Sequence, residues 1–263
     1  MIEVLSLHFT DRCTRKCPNC YIKPGAKPAR NLEFFFPFAE IARELGIKQI
    51  ALGGGEPTLY PEFISKFAAS CRKNEVILNM TTNGDGFTRD SVAFFEELTL
   101  VSFSIDRHKI LIPGDLQTLF AKMDLAREAG LAVGANVQLD PFIIEHLYEM
   151  LGELFQYCEQ VYLLQPKPNP LRYDAKLKTK LLTARCLYDH LYADESLLMS
   201  IGSSAGCGRG RGIVSVDFAG GVSTCSFDQN FASLRQARDL IQVVAKNYPF
   251  PKTTQCPFLE TEH

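Results

Sequence analysis

Three cysteines near the start of the chain have the spacing Cys-x3-Cys-x2-Cys, at Cys13, Cys17 and Cys20. A cubane iron–sulfur cluster has four irons and usually takes four thiolates, so a compact set of three leaves one iron open to a small molecule. A zinc ion is the alternative, and a zinc site needs a fourth ligand nearby. His8 can supply that ligand in principle, but it falls within the first predicted strand. The spacing therefore favours an iron–sulfur cluster with an open iron.

The other cysteines do not suggest a disulfide framework. The chain has nine cysteines in 263 residues, an odd number widely spread, which indicates metal ligation in a reducing compartment. Cys71, Cys158 and Cys186 lie in apolar segments of helical period, where we expect simple core packing. The remaining cysteines, Cys207, Cys225 and Cys256, lie near the end of the chain.

Composition excludes several classes of partner. The formal net charge is −2 at pH 7 and the sequence pI is about 6.2, so we expect no nucleic-acid partner. No apolar run reaches the roughly 18 to 20 residues of a membrane helix, and the N-terminus lacks the features of a signal peptide. We expect a cytoplasmic protein with no membrane partner.

Short β-branched apolar runs alternate with longer segments of helical period, which is typical of repeated βα units and a parallel sheet. We predict strands near 2–8, 47–53, 75–81, 99–105, 131–138 and 160–165, and helices near 32–45, 61–73, 88–97, 115–129, 142–156 and 175–192. Six units are fewer than the eight of a closed barrel. We therefore expect an α/β fold with a partial (β/α)6 TIM-like barrel over residues 1–196, with the cysteine loop at its catalytic end.

A smaller module is predicted over residues 197–263. A glycine-rich stretch that begins at Cys207 leads into two short apolar segments around Ala219-Gly220-Gly221, and this pattern predicts a β-hairpin. A helix is predicted over 232–246, followed by a tail that contains Cys256.

The segment from His8 to Tyr21, which contains the three cysteines, resembles the cluster loop of the radical S-adenosylmethionine superfamily. Gly54-Gly55-Glu56-Pro57, after the second predicted strand, resembles the Gly-Gly-Glu motif of that family, which meets the amino group of the cosubstrate's methionine moiety. Glycines let the backbone approach a ligand closely, and an acidic side chain pairs with an ammonium group. The resemblance implies that Cys13, Cys17 and Cys20 hold a [4Fe–4S] cluster and that Gly54, Gly55, Glu56 and Pro57 bind S-adenosyl-L-methionine.

Weaker matches follow at the ends of later strands. The resemblance implies cosubstrate contacts at Thr82 and Asn83, at Ser104 and Asp106, and at Gln138. The alternatives are local: Asn83-Gly84 is a common turn, and Ser104 or Asp106 can cap the next helix.

The cluster loop departs from the family at one position. Many members carry an aromatic residue immediately before the third cysteine, against the adenine, whereas this chain has Asn19 there and Tyr21 just after Cys20. Adenine packing is therefore expected to differ, while the cluster assignment stands.

The spacing of Cys207, Gly220 and Cys225 resembles the opening of the auxiliary-cluster domains called SPASM and twitch. This resemblance implies a small β-hairpin plus helix iron–sulfur module, of the shorter twitch type, in which Cys207, Cys225 and Cys256 hold a second cluster. The fourth ligand stays open among Glu260, His263, an upstream cysteine such as Cys186, and an open iron. A structural zinc hairpin or unligated cysteines are the alternatives. Arg209 and Arg211 in this stretch are either solvated or grip an anionic group. Arg107, His108 and Lys109, after the fourth predicted strand, pose the same question.

The family resemblance implies reductive cleavage of S-adenosylmethionine to a 5′-deoxyadenosyl radical that abstracts hydrogen from a substrate. We expect oxidation of a small molecule. The second hypothesis is a peptide-modifying maturase, which is disfavoured because no residues before the first strand are available for leader-peptide recognition. A non-enzymatic iron–sulfur or zinc protein for electron transfer or scaffolding is the third. An enzyme of this family also needs a one-electron donor, expected to be a flavodoxin or a ferredoxin.

Overall fold

The computed structural model describes residues 1–18, 20–22, 29–111, 114–167, 170–204 and 211–250, with only the backbone of His108. The chain divides into two compact units. The first comprises Met1–Leu100 with Gly208–Lys252, and the second comprises Val101–Cys207 with Thr253–His263.

The described strands and helices alternate along most of the chain. The strands are β1 Val4–His8, β2 Gln49–Gly53, β3 Ile77–Thr82, β4 Leu100–Ile105, β5 Ala132–Gln138, β6 Gln160–Leu164, β7 Leu191–Ala193, β8 Ile213–Val216, β9 Gly221–Ser223 and β10 Ala232–Ser233. The α-helices are α1 Phe38–Glu44, α2 Pro61–Lys73, α3 Arg107–Leu111, α4 Asp115–Glu128, α5 Pro141–Glu145, α6 Leu147–Tyr157, α7 Ala175–Leu187, α8 Glu195–Ser200 and α9 Asp239–Asn247. Short 3-10 helices occupy Leu32–Phe34, Pro57–Leu59 and Val92–Phe95.

The first unit is built on the strand order β10-β9-β8-β1-β2-β3. Strand β1 is parallel to both β2 and β8, and β9 folds back antiparallel to β8. Helices α1 and α2 pack against β2 and β3. The predicted hairpin is therefore present, and its first strand extends the sheet beside β1.

The two faces of this sheet differ in chemistry. Leu5 and Leu7 of β1 are fully buried, and Ile50 and Leu52 of β2 lie on the same apolar face. The opposite face carries polar or small side chains, with Ser6 aligned with Ala51 of β2 and Ser215 of β8, followed by Asn79 and Thr81 on β3. Strands buried on both faces read as nearly continuous apolar runs. The alternation here indicates that one face is reserved for polar contacts.

The second unit contains the order β4-β5-β6-β7, with β4 beginning at the last residue of the first unit. Strands β5, β6 and β7 pair in parallel. On β5, Val133, Ala135 and Val137 are buried, while Asn136 and Gln138 on the other face are only partly buried. This unit repeats the division into an apolar and a polar face.

The α/β class is confirmed, and the six predicted strands all occur within two residues of their predicted limits. A seventh short strand, β7, was missed. The division at residue 196 into a barrel and a cluster module stays a prediction. Among the described residues, no helix combines the length and apolar character needed to cross a membrane.

Several helix predictions were wrong in extent. The helix predicted over 88–97 contains only the 3-10 turn Val92–Phe95, because Ser91 and Thr88 hydrogen-bond to nearby backbone and compete with helical pairing. The predicted 32–45 and 142–156 helices are each divided, the first into a 3-10 turn and α1, the second into α5 and α6.

Two further helices end or begin at different residues. The helix predicted over 175–192 ends at Leu187, because Tyr188 takes an extended conformation and the chain enters β7. The helix predicted over 232–246 starts only at Asp239, whose carboxylate accepts hydrogen bonds from the backbone of Arg235 and Gln236. The residues before it pair with β9 as β10.

Candidate active site

The three cysteines lie in the loop that follows β1. Cys13 and Cys20 are exposed and Cys17 is partly buried, and none of the three forms a disulfide bond. The amide of Cys20 donates to the carbonyl of Cys17 at 3.2 Å. Burial raises the pKa of the Cys20 thiol, and the nearby Cys13 thiol raises it further. A hydrogen bond from the backbone of Ile22 has the opposite effect and lowers this pKa. The loop therefore brings Cys13 into the electrostatic neighbourhood of Cys20, while Asn19 lies outside the described residues.

The glycine motif after β2 lies directly against this loop. The amide of Gly55 donates to Thr10 O at 2.8 Å, and the amide of Glu56 donates to Arg12 O at 2.7 Å. A Cβ atom on Gly55 would lie 2.0 Å from Arg12 O, and one on Gly54 would lie 2.4 Å from Thr10 O. Such distances are impossible for a side chain, so glycine is required for this approach.

Glu56 connects the ends of two strands. Its side chain is completely buried. Oε1 accepts hydrogen bonds from Thr58 N at 3.0 Å, Thr58 Oγ1 at 2.6 Å and Thr82 Oγ1 at 2.6 Å, and Oε2 accepts one from Asn83 N at 2.7 Å. Pro57 opens the 3-10 turn that Glu56 caps. Contact of Glu56 with the cosubstrate stays a prediction, because its carboxylate is occupied here by four protein donors.

Asn83 continues this network into the cysteine loop. Its Nδ2 donates to Thr14 Oγ1 at 2.9 Å and approaches Cys13 Sγ at 3.7 Å. Asp85 forms an ion pair with Arg15, at 2.6 Å between Oδ1 and Nη2, and also accepts a hydrogen bond from Thr14 at 2.7 Å. The cysteine loop is therefore fastened to the end of β3 as well as to β2.

Thr14, Arg15 and Asp85 were not among the site residues predicted from the sequence. The available signal was the opposite charge of Arg15 and Asp85 in loops that follow parallel strands of one sheet. It was weak because isolated charges in loops are usually solvated.

Ser104, Asp106 and Gln138 belong to the second unit. Asp106 Oδ1 accepts a hydrogen bond from the backbone of Lys109 at 3.1 Å, which is the local role considered for it in the sequence. The buried ammonium of Lys109 donates to the carbonyl of Ser104. Gln138 is partly buried at the last residue of β5. Their cosubstrate contacts stay predictions.

The second cysteine set is only partly described. Cys225 is partly buried just after β9, whereas Cys207, Cys256, Arg209, Glu260 and His263 lie outside the described residues. Gly220 has φ +85° at the hairpin turn, a conformation that favours glycine. The auxiliary cluster stays a prediction.

The three cysteines assigned to core packing do not behave alike. Cys71 and Cys158 are buried, and burial raises the pKa of each thiol to about 12. Cys186 is exposed on α7, so the prediction of core packing was wrong for this residue. The buried positions of α7 are Leu181 and Ala184, on another side of the helix.

Tyr21 lies between the two cysteine regions. Its ring contacts that of Phe227, with centroids 4.6 Å apart, and its hydroxyl lies 3.4 Å from His8 Nε2. Removal of the hydroxyl from water raises the pKa of Tyr21, and the Cys20 and Cys225 thiols raise it further. Tyr21 therefore faces the hairpin side of the cysteine loop.

The donor set fits an iron–sulfur cluster. Three cysteine thiols on one loop are the ligands required by a cluster with one open iron, and the side-chain-free backbone of Gly54 and Gly55 passes directly beside the backbone of residues 10–12 in that loop. Across the described ranges, no group of three or more His, Cys, Asp or Glu side chains is arranged so that it could hold a metal ion, and this includes the three cysteines. The fit therefore rests on donor chemistry and loop anchoring.

Comparison with known proteins agrees with this chemistry. The family model described as the radical SAM superfamily matches residues 7–158. A GTP 3',8-cyclase of Haemophilus influenzae (strain PittEE) is 34% identical over 167 residues, which cover 57% of this chain and 48% of the relative. An S-adenosylmethionine-dependent nucleotide dehydratase of Thermoplasmatales archaeon (strain ISO4-H5) is 26% identical over 141 residues, covering 50% of this chain and 51% of the relative. The chain thus spans about half the length of these curated relatives.

Solved structures extend the likeness to nearly the whole chain. The crystal structure of Streptococcus suis SuiB bound to S-adenosylmethionine has a TM-score of 0.75 and 14% identity, covering 97% of this chain and 67% of SuiB. At this identity the likeness concerns the fold alone. Because the family model covers more than half of the chain, including the cysteine loop and the glycine motif, the chain belongs to the radical SAM superfamily and is an enzyme that uses a [4Fe–4S] cluster and S-adenosylmethionine.

Proposed function

We propose that this enzyme cleaves S-adenosylmethionine reductively at a cluster held by Cys13, Cys17 and Cys20, and uses the 5′-deoxyadenosyl radical to oxidise a small molecule. When bound, the reduced cluster supplies the electron for this cleavage. The main supporting observation is the network from Glu56 through Asn83 to Thr14, which fixes the cysteine loop to the neighbouring strand ends. A loop held in this way can keep a radical precursor oriented and away from water.

The choice of a small molecule is supported by the sequence relatives. The names of the two relatives described above specify GTP and a nucleotide, both small molecules. A peptide substrate is the second candidate, favoured by the fold likeness to SuiB, which has also been solved bound to the precursor peptide SuiA at a TM-score of 0.70. We rank it second because 14% identity carries information about fold only.

We also propose that Cys207, Cys225 and Cys256 hold an auxiliary cluster that accepts the electron of the substrate radical or ligates the substrate. The supporting observation is the position of Cys225, which follows β9. Its thiol raises the pKa of Tyr21, the residue next to Cys20. The one-electron donor is proposed to be a flavodoxin or a ferredoxin.

The test is anaerobic reconstitution followed by dithionite and S-adenosylmethionine. We expect 5′-deoxyadenosine from the wild type and none from Cys17→Ala. Iron analysis should give about eight atoms per chain for two cubane clusters, against about four for one. Deuterated small molecules and deuterated peptides are then compared as sources of deuterium in 5′-deoxyadenosine. Transfer from peptides alone would rank the peptide substrate above the small molecule. Equal yields from the variant and the wild type would contradict the cluster assignment.

A further inference from the structure

A cleft of about 430 Å³ lies within the first unit, beside the cysteine loop. This volume is within the range of small-molecule sites. One side is formed by Tyr21 and Ile22, and the other by the hairpin β8–β9 and the loop that follows it. The Glu56 network does not line this cleft.

Serine hydroxyls line the floor of the cleft, among them those of Ser215 and Ser223. Ser215 of β8 aligns with Ser6 of β1 on one side and with Ser223 of β9 on the other. All three are more than nine-tenths buried. Ser6 Oγ lies 2.9 Å from Ser226 Oγ and 3.2 Å from Nε2 of His8, so β1 and the loop after β9 are joined here.

Two polar groups in this floor have no protein partner within the described part of the chain. Ser215 Oγ makes no hydrogen bond there, and His8 uses Nε2 but not Nδ1. The exposed fractions of the two residues are only 2% and 5%. Both residues line the cleft, so a ligand bound there can pair with them.

The charges of the cleft restrict the ligand. Burial lowers the pKa of His8 to about 4, against a smaller opposing effect of Asp217, so the imidazole is neutral near pH 7 and offers one donor and one acceptor. Asp217 and Asp228 line the cleft, and no lysine or arginine does so among its described lining residues. Asp217 also accepts a hydrogen bond from Asn230 Nδ2, and Asp228 accepts one from Thr224 Oγ1. The described lining therefore favours hydroxyl and amino groups over an anionic group.

We infer that this cleft binds a hydroxyl-rich, uncharged or amine-bearing part of the substrate, with Ser215 and His8 as its direct hydrogen-bonding partners. This inference rests on the proposed function, in that it takes the substrate to be a small molecule. The cleft would hold that part of the substrate between the cysteine loop and the hairpin that carries Cys225.

Three sugars that differ mainly in charge test the inference: glucose, glucosamine and glucose 6-phosphate. Each is titrated into the reconstituted full chain by calorimetry, without reductant. We expect glucose and glucosamine to bind, and glucose 6-phosphate to bind at least about tenfold more weakly because of the two carboxylates. Ser215→Ala should weaken glucose binding about three- to tenfold, the effect of one net hydrogen bond.

The variants have matched controls. Ser215→Ala removes no hydrogen bond seen among the described residues and should fold normally. Ser65→Ala on α2 is its control outside the cleft. Asp228→Asn should reduce the difference in binding affinity between glucosamine and glucose 6-phosphate. Asp124→Asn on α4 should leave that difference unchanged. The first pair tests the hydroxyl contact and the second tests the charge selection.

The inference is overturned if neither neutral nor amine-bearing sugar binds at millimolar concentrations, if glucose 6-phosphate binds most tightly, or if Ser215→Ala equals wild type. Its failure is separable from failure of the proposed function. If 5′-deoxyadenosine still forms while the sugars do not bind, only the cleft assignment is wrong. If the sugars bind as expected but no 5′-deoxyadenosine forms, the cleft assignment stands and the radical chemistry is wrong.

Discussion

Replacing Glu56 by glutamine should release the strand ends that hold the cysteine loop. The carboxylate accepts four hydrogen bonds in a completely buried position. A glutamine can place its oxygen toward Thr58 and Thr82, but its NH2 group then faces the N–H of Asn83, donor against donor. The weakest point of the variant is therefore the contact with Asn83, the residue that reaches the cysteine loop.

The expected size of the effect follows from these contacts. A hydrogen bond to a charged group contributes about 1.5–3 kcal/mol, and a buried donor left unpaired costs about 1–3 kcal/mol. Together these give a destabilisation of about 4 kcal/mol for Glu56→Gln. For a chain of this size the midpoint of thermal unfolding should fall by about 10 °C.

The assay combines three measurements on Glu56→Gln: thermal unfolding, iron retained after reconstitution, and affinity for S-adenosylmethionine. All three should decrease, because the network supports the loop before any ligand binds. Glu62→Gln on the exposed surface of α2 is the control and should leave all three unchanged. An unchanged midpoint and iron content with lost cosubstrate affinity would refute the reasoning, since Glu56 would then act as a direct ligand.

Three further predictions follow from individual contacts. Cys17→Ala should lower the iron content by about four atoms per chain, measured by colorimetric iron analysis, whereas Cys71→Ala should not because that thiol is buried in the core. Gly55→Ala should reduce iron retention, since its Cβ would lie 2.0 Å from a carbonyl of the cysteine loop, whereas Gly152→Ala, with its nearest neighbour at 4.0 Å, should retain it. The pKa of His8 is about 4 in the folded chain against an ordinary 6.5, so the unfolded chain binds more protons between these values and stability falls as pH falls. About 2 kcal/mol should be lost between pH 7 and pH 5; histidine C2 hydrogen exchange followed by mass spectrometry should give a folded pKa near 4, and a value near 6.5 would contradict this.

The parallel strands could be predicted because their residue pattern is local and strong. Each of the six predicted strands is a short apolar run with flanking turns, and the structure forms all of them. Strand β7 was missed because Leu191–Ala193 is three residues long and lies where helical periodicity continued from α7. Its formation depends on pairing with β6, which is a tertiary contact and leaves little trace in the local sequence.

The helix errors have a similar cause. At Ser91 and at Asp239, side chains bond to nearby backbone groups and end or delay the helix. Such bonds compete with helical ones only when the chain geometry allows them. Periodicity alone predicts a helix in both segments and cannot rank the two alternatives.

The glycine motif was identified from its resemblance, and the structure supplies a physical reason for it. Gly54 and Gly55 pass so close to the cysteine loop that any side chain would collide with the backbone. The family resemblance implied that Glu56 pairs with an ammonium group of the cosubstrate, which stays a prediction, and the partners observed here are four protein donors. These partners could not be predicted from the sequence, because Thr58, Thr82 and Asn83 are brought together only by the sheet.

The position of Tyr21 gives a physical account of the departure noted in the cysteine loop. The aromatic residue stands after Cys20 in this chain, and its ring packs on Phe227 beside the hairpin. Its hydroxyl meets His8 at the edge of the serine-lined cleft. Moving the aromatic side chain by two positions along the loop therefore places it against the hairpin loop that carries Cys225.

A Tyr21→Phe variant would keep the ring contact and lose only the hydroxyl, whereas Tyr21→Ala would lose both. If the ring docks the hairpin loop, only Tyr21→Ala should increase hydrogen exchange at residues 224–230, and equal exchange in the two variants would contradict this role.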